Sequence, residues 1–244
     1  WNVSNVKTMN HCFCNCMSLC ALDVSNWNTS SLENMERCFT NCVSLQYLDL
    51  SSWNVSNVED MSWCFYDCEN LKSLDLSRWN TSNVKTIEEC FLFCESLKTL
   101  DLSHWDTSNV ITLKHCFYRC PLTSLDVSNW NTSKVKNMKH CFDLCVSLET
   151  INANNWDTSN VENLEGCFMS CGALIQLAIA NWTTSKVFNM RDCFYDCRSL
   201  TSLDLSNWDV SKVMSLKNCF YNCKSLKVLN ISNWKPSNCV ELDN

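Results

Sequence analysis

The chain has 244 residues, a formal net charge of −7 and 21 cysteines. Glycine and proline occur only twice each, which excludes collagen-like and low-complexity disordered chains. Lys and Arg are scattered singly, without the basic stripe of a nucleic-acid-binding protein, and no apolar run approaches the roughly 18 residues that span a membrane. The composition is that of a folded chain, and its cysteine content is typical of a secreted disulfide scaffold.

Tryptophan marks a repeat along the chain. It recurs at positions 1, 27, 53, 79, 105, 130, 156, 182, 208 and 234, in steps of 26 residues with a single step of 25. Residues 1–233 therefore form nine repeats, here called rungs 1 to 9, and residues 234–244 form a partial tenth repeat or a terminal tail. Because the chain opens in mid-pattern without Met, we expect it to be a fragment of a longer repeat protein.

The first half of each rung has the periodicity of a helix. In rung 4, Val84, Ile87, Cys90, Phe91 and Cys94 fall on one helical face. A serine three residues after each Trp stands where an N-cap belongs. The candidate N-caps are Ser4, Ser30, Ser56, Ser82, Ser108, Ser133, Ser159, Ser185, Ser211 and Ser237.

The second half of each rung, Leu-x-x-Leu-Asp-Leu-Ser, alternates apolar and polar residues as a short strand does. Neither half can bury its apolar face alone, but identical rungs stacked on one another can. The sequence therefore predicts an α/β repeat solenoid, a leucine-rich-repeat-like stack of nine 26-residue rungs. Each rung would contain one short helix and one short strand, the strands forming one parallel sheet over columns of Trp, Phe and Leu.

The unit resembles the leucine-rich repeats of the BspA-like type, found in bacterial and protist surface proteins. The resemblance covers essentially the whole chain, and in rungs 3 and 4 its motif positions are Leu74-Asp75-Leu76-Ser77, Trp79-Asn80-Thr81-Ser82, Val84, Phe91 and Cys94. One departure is consistent, since Cys replaces the family's Met before Phe in all nine rungs. The resemblance implies a cell-surface or secreted binding module, in several cases an adhesin, without catalytic residues.

Each rung carries a Cys-Phe-x-x-Cys pair, for which four interpretations are open. A disulfide within the pair is the favoured prediction, although it strains a regular helix. A staircase such as Cys42–Cys64, two columns of reduced core thiols, or zinc are the alternatives. The disulfide candidates are Cys12, Cys16, Cys38, Cys42, Cys64, Cys68, Cys90, Cys94, Cys116, Cys120, Cys141, Cys145, Cys167, Cys171, Cys193, Cys197, Cys219 and Cys223. The total is odd, which leaves a free thiol or an interchain disulfide through Cys14, Cys20 or Cys239.

The outward positions of the strands form a candidate ligand face. It consists of Asp23, Asp49, Asp75, Asp101 and Asp126 beside Ser25, Ser51, Ser77, Ser103 and Ser128. The carboxylate column lapses at Asn152 and Ala178. Hydroxyl and amide donors that merely offset carboxylate repulsion are the structural alternative. Calcium needs six to eight oxygens, so we expect no metal and no cofactor.

Seven sequons are candidates for N-glycosylation: Asn2, Asn28, Asn54, Asn80, Asn131, Asn181 and Asn230. The recurrent serine creates a sequon wherever Asn stands two residues earlier, so at most partial occupancy is expected. The four histidines are expected to be surface polar residues.

These features predict a non-enzymatic extracellular or cell-surface module, braced by disulfides, that binds or adheres to a protein or glycan. The alternative is a structural segment of a surface fibre or stalk whose function is self-stacking. Neither nucleic acid nor membrane insertion of this segment is expected.

Overall fold

The computed structural model describes residues 1–242 as a solenoid of stacked rungs. Its strands have three residues each: β1 Tyr47–Asp49, β2 Ser73–Asp75, β3 Thr150–Asn152, β4 Gln176–Ala178, β5 Ser202–Asp204 and β6 Val228–Asn230. They pair in parallel as β1–β2, β3–β4 and β5–β6, with Leu48 directly opposite Leu74. A single bridge between Thr99 and Ser124 joins rungs 4 and 5 at the same place. Of the nine predicted strands, six are therefore present within residues 1–242, in rungs 2, 3 and 6 to 9, and they form three two-stranded sheets instead of one.

A second parallel ladder runs without interruption along the whole stack. It passes through one position per rung, seven residues after each Trp: Thr8, Asn34, Asp60, Thr86, Thr112, Asn137, Asn163, Asn189, Ser215 and Glu241. This ladder lies inside the segment that was expected to be helical. Its last bridge, between Ser215 and Glu241, continues the stack beyond rung 9.

The prediction of one helix per rung is wrong, because residues 1–242 contain no α-helix. In rung 2 the Cys38 and Cys42 amides donate to carbonyls three residues back, 3.1 and 3.2 Å away. The Phe39 amide between them donates instead to the Cys64 carbonyl of rung 3, at 2.9 Å. Along this segment, backbone amides that close a turn within the rung therefore alternate with amides that bond to the next rung. Successive turns of this kind place apolar side chains three or four residues apart on the inner side, as a helix would.

Left-handed residues enforce these turns. In rung 2 the residues before the two cysteines, Arg37 and Asn41, have φ of 54° and 58°. Every rung repeats this, and only one of these positions, Gly166, is a glycine. A left-handed conformation costs an L-residue roughly 1–2 kcal/mol and ends a right-handed helix. In rungs 2 to 8 a fully buried Phe, worth about 1.5–3 kcal/mol, offsets part of that cost, and in rungs 1 and 9 the Phe is half-buried.

The serines predicted as N-caps have a different role, since there is no helix for them to cap. The Ser30 amide donates to Oδ1 of Asn28 at 3.1 Å, which makes an Asx turn with the asparagine as acceptor. The same bond forms at Ser4, Ser56, Ser82, Ser108, Ser133, Ser159 and Ser211. Ser185 and Ser237 lack an Asn or Asp two residues earlier. Where an Asn or Asp stands two residues before the serine, the two residues therefore form a turn in the chain.

The core consists of columns of identical side chains, as the repeat predicts. Trp27 and Trp53 stack with ring centroids 5.9 Å apart, and Phe39 and Phe65 at 5.6 Å. Indole N–H groups then join the rungs, as when Trp79 Nε1, at the start of rung 4, donates to the Leu50 carbonyl near the end of rung 2 at 3.1 Å. Stacking supplies the apolar contacts, and these bonds fix the register between rungs.

Candidate binding surface

The strand face forms an open groove across rungs 2 to 5. Its volume is about 780 Å³. The residues that define it, here called the acidic groove, are Tyr47, Asp49, Asp75, Asp101, Asp126 and Ser124. A smaller groove of about 390 Å³, lined by Asn152 and Ala178 among others, occupies the same face farther along. The sequence-predicted lapse of the carboxylate column thus separates an acidic stretch from a less charged one.

Each carboxylate of this face is held by the serine two residues later. Asp49 Oδ1 accepts the Ser51 amide at 2.9 Å and the Ser51 hydroxyl at 2.7 Å. The Ser51 hydroxyl and amide lower the pKa of the Asp49 carboxyl from its ordinary value. The same bonds lower the pKa of the other four: Asp23, Asp75, Asp101 and Asp126. The candidate ligand face is therefore ionised at neutral pH, and one oxygen of each carboxylate is fixed.

Tyr47 is the large apolar group at one end of the acidic groove. Its side chain is 60% exposed. The ammonium of Lys72 lies 5.8 Å from the centre of its ring and donates to Gln46 at 3.0 Å. An exposed aromatic ring with a polar tip beside fixed charges is the kind of group that serves in recognition.

The cysteines are free thiols throughout the structure, so the favoured within-rung disulfides are not formed in it. The second thiol of each pair, from rung 2 onward, donates to a Phe carbonyl in the preceding rung, as Cys68 does to Phe39 at 3.2 Å. Burial raises the pKa of the Cys68 thiol well above its ordinary value. This arrangement corresponds to the alternative of reduced core columns. The disulfide pairings stay a prediction.

The cysteines outside the pairs are more accessible. Cys14 and Cys239 are half-buried, and Cys20 is exposed with its thiol directed to the Ser18 carbonyl at 3.5 Å. The Cys239 thiol donates to the Glu241 carbonyl at 3.1 Å. An interchain disulfide through any of them stays a prediction.

Five of the glycosylation candidates directly follow a Trp, whereas Asn181 precedes Trp182 and Asn230 ends β6. The side chains of six of them are exposed, and Asn230 is half-buried. Oδ1 of Asn28 is the acceptor of the Asx turn, which leaves its Nδ2, the atom that a glycan would occupy, directed away from that bond. Glycosylation stays a prediction.

Two contacts were not anticipated from the sequence. His140 and Asp143 pair in the middle of the stack at 2.8 Å, so this histidine is not simply a surface polar residue. The Trp63 indole, which lies off the Trp column, donates to Glu89 at 2.7 Å under the guanidinium of Arg37. The available signal was Asp143, the one charged residue at a repeat position that otherwise holds Cys, Thr, Tyr, Leu or Met.

Residues 1–242 contain neither a metal-binding cluster nor a membrane-spanning helix. Nowhere in that range do three or more His, Cys, Asp or Glu side chains converge so that they could hold a metal ion. The same range contains no helix of the length and apolar character needed to cross a membrane.

The stacked rungs, with short parallel strands on one face, define a leucine-rich-repeat-like solenoid. The chain belongs to the family described as Mycoplasma protein of unknown function, DUF285, whose model matches residues 1–100, 88–177 and 145–244. The match is to this family, and assignment to the BspA-like type in particular stays a prediction. No curated protein matches the sequence.

Three solved structures illustrate what the fold is similar to. A TLR13–ssRNA13 complex has 17% identity and a TM-score of 0.33, and the match covers 85% of this chain and 35% of the chain in that complex. A leucine-rich cell surface protein of Faecalibacterium prausnitzii A2-165 has 16% identity and a TM-score of 0.33, covering 86% and 78%. A leucine-rich repeat protein of Bacteroides ovatus ATCC 8483 has 14% identity and a TM-score of 0.30, covering 87% and 67%. The chain spans about a third of the length of the first, and similarities this low carry no argument about a ligand.

Proposed function

We propose that this chain is a non-enzymatic recognition module that binds a protein or a glycan in the acidic groove. The observation that carries the proposal is the row of ionised, serine-held carboxylates along a groove of about 780 Å³ with Tyr47 at one end. No histidine or cysteine is among the described residues that line it. The groove therefore offers charge, hydroxyl groups and one aromatic ring, which suit binding better than catalysis.

The groove favours a partner that carries positive charge. Its carboxylates are fixed before binding, so little conformational entropy is lost when a ligand arrives. Complementary charge also speeds encounter and excludes acidic partners. Within this proposal, we expect a protein segment with Lys or Arg to bind more tightly than a neutral glycan.

Biolayer interferometry on the immobilised chain tests this, with an alternating Lys–Ser peptide, an alternating Glu–Ser peptide and neutral oligosaccharides as probes. The variant Asp49→Asn/Asp75→Asn/Asp101→Asn removes three charges but keeps the turn, because Asn152 already occupies this position in rung 6. At about 0.2–1 kcal/mol per exposed charge pair, affinity for the Lys–Ser peptide should fall roughly tenfold.

A matched control exists on another face of the stack, in rungs 5, 7 and 9. Asp106, Asp157 and Asp209 make the same Asx turn with the serine two residues later. Their replacement by Asn changes net charge equally and should leave binding intact. Equal weakening by the two triple variants, or no binding of either the Lys–Ser peptide or the oligosaccharides, would refute the proposal.

An extracellular or cell-surface location is part of the same proposal, as are adhesion and N-glycosylation. Its support is the cysteine content, which is typical of secreted scaffolds. Bracing by within-rung disulfides belongs to it too, so this part depends on the redox state of the thiols. The binding proposal does not.

A structural segment of a surface fibre or stalk is the second candidate. The uniformity of the strand face favours it, since the outward residues of rungs 3 to 5 are only Ser, Thr and Asp. Sedimentation velocity over a range of concentrations distinguishes the two. Reversible end-to-end growth supports the fibre, whereas a monomer that binds a probe in its groove supports recognition.

A further inference from the structure

Three residues from adjacent rungs, Asp143, His140 and Gly166, meet in the middle of the stack. Asp143 stands at a position occupied by Tyr118 in rung 5 and Met169 in rung 7. His140 and Gly166 occupy the left-handed position before the first cysteine of rungs 6 and 7, with φ of 50° and 58°. Asp143 is the one acidic residue and Gly166 the one glycine at their repeat positions, so the repeat alone does not require this arrangement.

The contacts in this cluster are specific. His140 Nδ1 lies 2.8 Å from Oδ2 of Asp143, whose other oxygen is buried without a hydrogen-bond partner among the described residues. The rings of His115 and His140, one rung apart, lie 5.1 Å apart edge to face. The His115 ring also stacks on Tyr118 with a centroid distance of 5.6 Å. Two imidazoles and one buried carboxylate therefore share a site between rungs 5 and 6.

Rung 7 is shaped to admit the His140 ring. A Cβ atom at Gly166 would lie 2.2 Å from His140 Nδ1, closer than atoms can approach. The other left-handed position that contacts this ring, His115, carries a side chain. The missing side chain at Gly166 is thus what lets the histidine reach Asp143.

The charged groups around the cluster are largely engaged with one another. In rungs 4 and 5, Lys114 bridges Glu88 at 2.7 Å and Glu89 at 3.5 Å. In rungs 6 and 7, Lys139 bridges Glu165 at 2.9 Å, and Glu165 lies 3.9 Å from His140 Nε2.

Rung 8 adds two more charges, an Arg191–Asp192 pair at 3.0 Å. Tyr118 completes the titratable groups that face the two rings. The only carboxylate in hydrogen-bond contact with an imidazole here is that of Asp143.

We propose that His115, His140 and Asp143 form an acid-sensitive contact between rungs 5 and 6, which opens the middle of the solenoid when both imidazoles are protonated. One imidazolium can be balanced by the Asp143 carboxylate. A second, 5.1 Å away and beside Lys114 and Lys139, has no free carboxylate in contact, so the two positive rings repel each other.

The titration of His115 agrees in direction with this contact. Burial, followed by the positive charge of His140, lowers the pKa of His115 from its ordinary 6.5 to about 4. The unfolded chain therefore takes up a proton at pH values where the folded chain resists it. The free energy of unfolding falls as the pH drops from 6.5 to about 4.

Asp143 acts in the opposite sense. Burial raises its carboxyl pKa, so the folded chain takes up that proton more readily, which favours the folded state in acid. Protonation also removes the counter-charge facing His140. A variant at His115 leaves Asp143 unchanged and therefore isolates the effect of the two rings.

The experiment is amide hydrogen–deuterium exchange by mass spectrometry, at neutral pH and at about pH 5, with exchange times scaled for the intrinsic pH dependence. His115→Asn is the test variant, because Asn218 holds the same position in rung 9 with the same φ of 52°. Peptides covering residues 111–145 of the unaltered chain should exchange at least about tenfold faster at the lower pH, the equivalent of one pKa unit. In His115→Asn this acceleration should disappear.

His11→Asn is the matched control, since His11 is exposed at the same position of rung 1. It should leave the acceleration unchanged. Peptides that cover residues 33–67 should show no comparable acceleration in any of the three proteins.

The proposal is overturned if residues 111–145 respond to pH equally in the unaltered chain and in His115→Asn. A second measurement needs no variant of the cluster. The imidazole of His115 should titrate by NMR with a pKa well below its ordinary 6.5, and titration at the ordinary value also overturns the proposal.

Discussion

His104 and Trp105 compete for one carbonyl. His104 Nε2 lies 3.2 Å from the Leu76 oxygen, and Trp105 Nε1 is buried without a hydrogen-bond partner among residues 1–242. In the rungs on either side, the indoles of Trp79 and Trp130 reach the corresponding carbonyls of Leu50 and Leu102 at 3.1 Å.

His104→Asn should therefore stabilise the chain. Asn at this position in other rungs, such as Asn207, donates to a different carbonyl of the preceding rung. Leu76 would then be free to accept the Trp105 indole, a gain of about 1 kcal/mol in the free energy of unfolding, measured by urea denaturation. Arg78→Asn is the control, since Trp79 already has its bond, and an equal gain in both variants contradicts the explanation.

Gly166→Ala should destabilise the chain. The added Cβ would meet the His140 ring and force it away from Asp143, a cost of about 1–3 kcal/mol by analogy with overpacked cores. Gly172→Ala adds a Cβ with nothing within 4 Å and should change stability by less than about 0.5 kcal/mol. The double variant Gly166→Ala/His140→Asn should recover part of the loss, and failure to do so would show that the ring is not the cause.

Thiol labelling should follow burial. In the native chain, iodoacetamide should reach Cys12, Cys14, Cys16, Cys20, Cys223 and Cys239, which are exposed or half-buried. The buried thiols should be protected, because burial also raises their pKa and removes the reactive thiolate, as at Cys68. In urea without a reductant, two columns of reduced thiols would leave all 21 cysteines reactive, whereas the within-rung disulfides of the proposed function would leave their cysteines unlabelled. Cysteine pairs that resist labelling in urea would favour the disulfide alternatives, and peptide mapping would then assign them.

Ser51→Ala should raise the carboxyl pKa of Asp49. The Ser51 hydroxyl is the main reason that this pKa is low. The ionised carboxylate therefore stabilises the fold at pH values above its pKa in the unfolded chain, and this stabilisation is lost as the pH falls through its pKa in the folded chain. NMR titration of the carboxyl carbon measures the shift. Ser52→Ala, one residue along and without a bond to Asp49, should leave the titration in place.

The regular columns were predictable because each repeats the same residue. A Trp every 26 residues can be buried only by stacking on its equivalent, and Trp27 and Trp53 do so. The Leu-Asp-Leu strand followed for the same reason. The carboxylate row needed only the register, which a constant repeat length fixes.

The helix could not be separated from a series of turns by spacing alone. Val84, Ile87, Cys90 and Phe91 point inward in either case. The choice depends on residues such as Glu89 and Phe93, which adopt φ of 55° and 62° although neither favours that conformation. The left-handed conformation is stabilised by backbone hydrogen bonds to the next rung, and these bonds form only when the rungs are stacked.

The pairing of His140 with Asp143 depends on rungs that lie on both sides of it. Neither residue shows its partner in the sequence, and the space for the ring comes from Gly166 in the next rung.

By itself, then, the sequence determined the period, the residues that face the core and the row of carboxylates, because these repeat and are local to each rung. The tertiary structure alone decided the backbone path through the cysteines and the histidine contact. These depend on hydrogen bonds and steric room supplied by neighbouring rungs, and such terms exist only in the assembled stack.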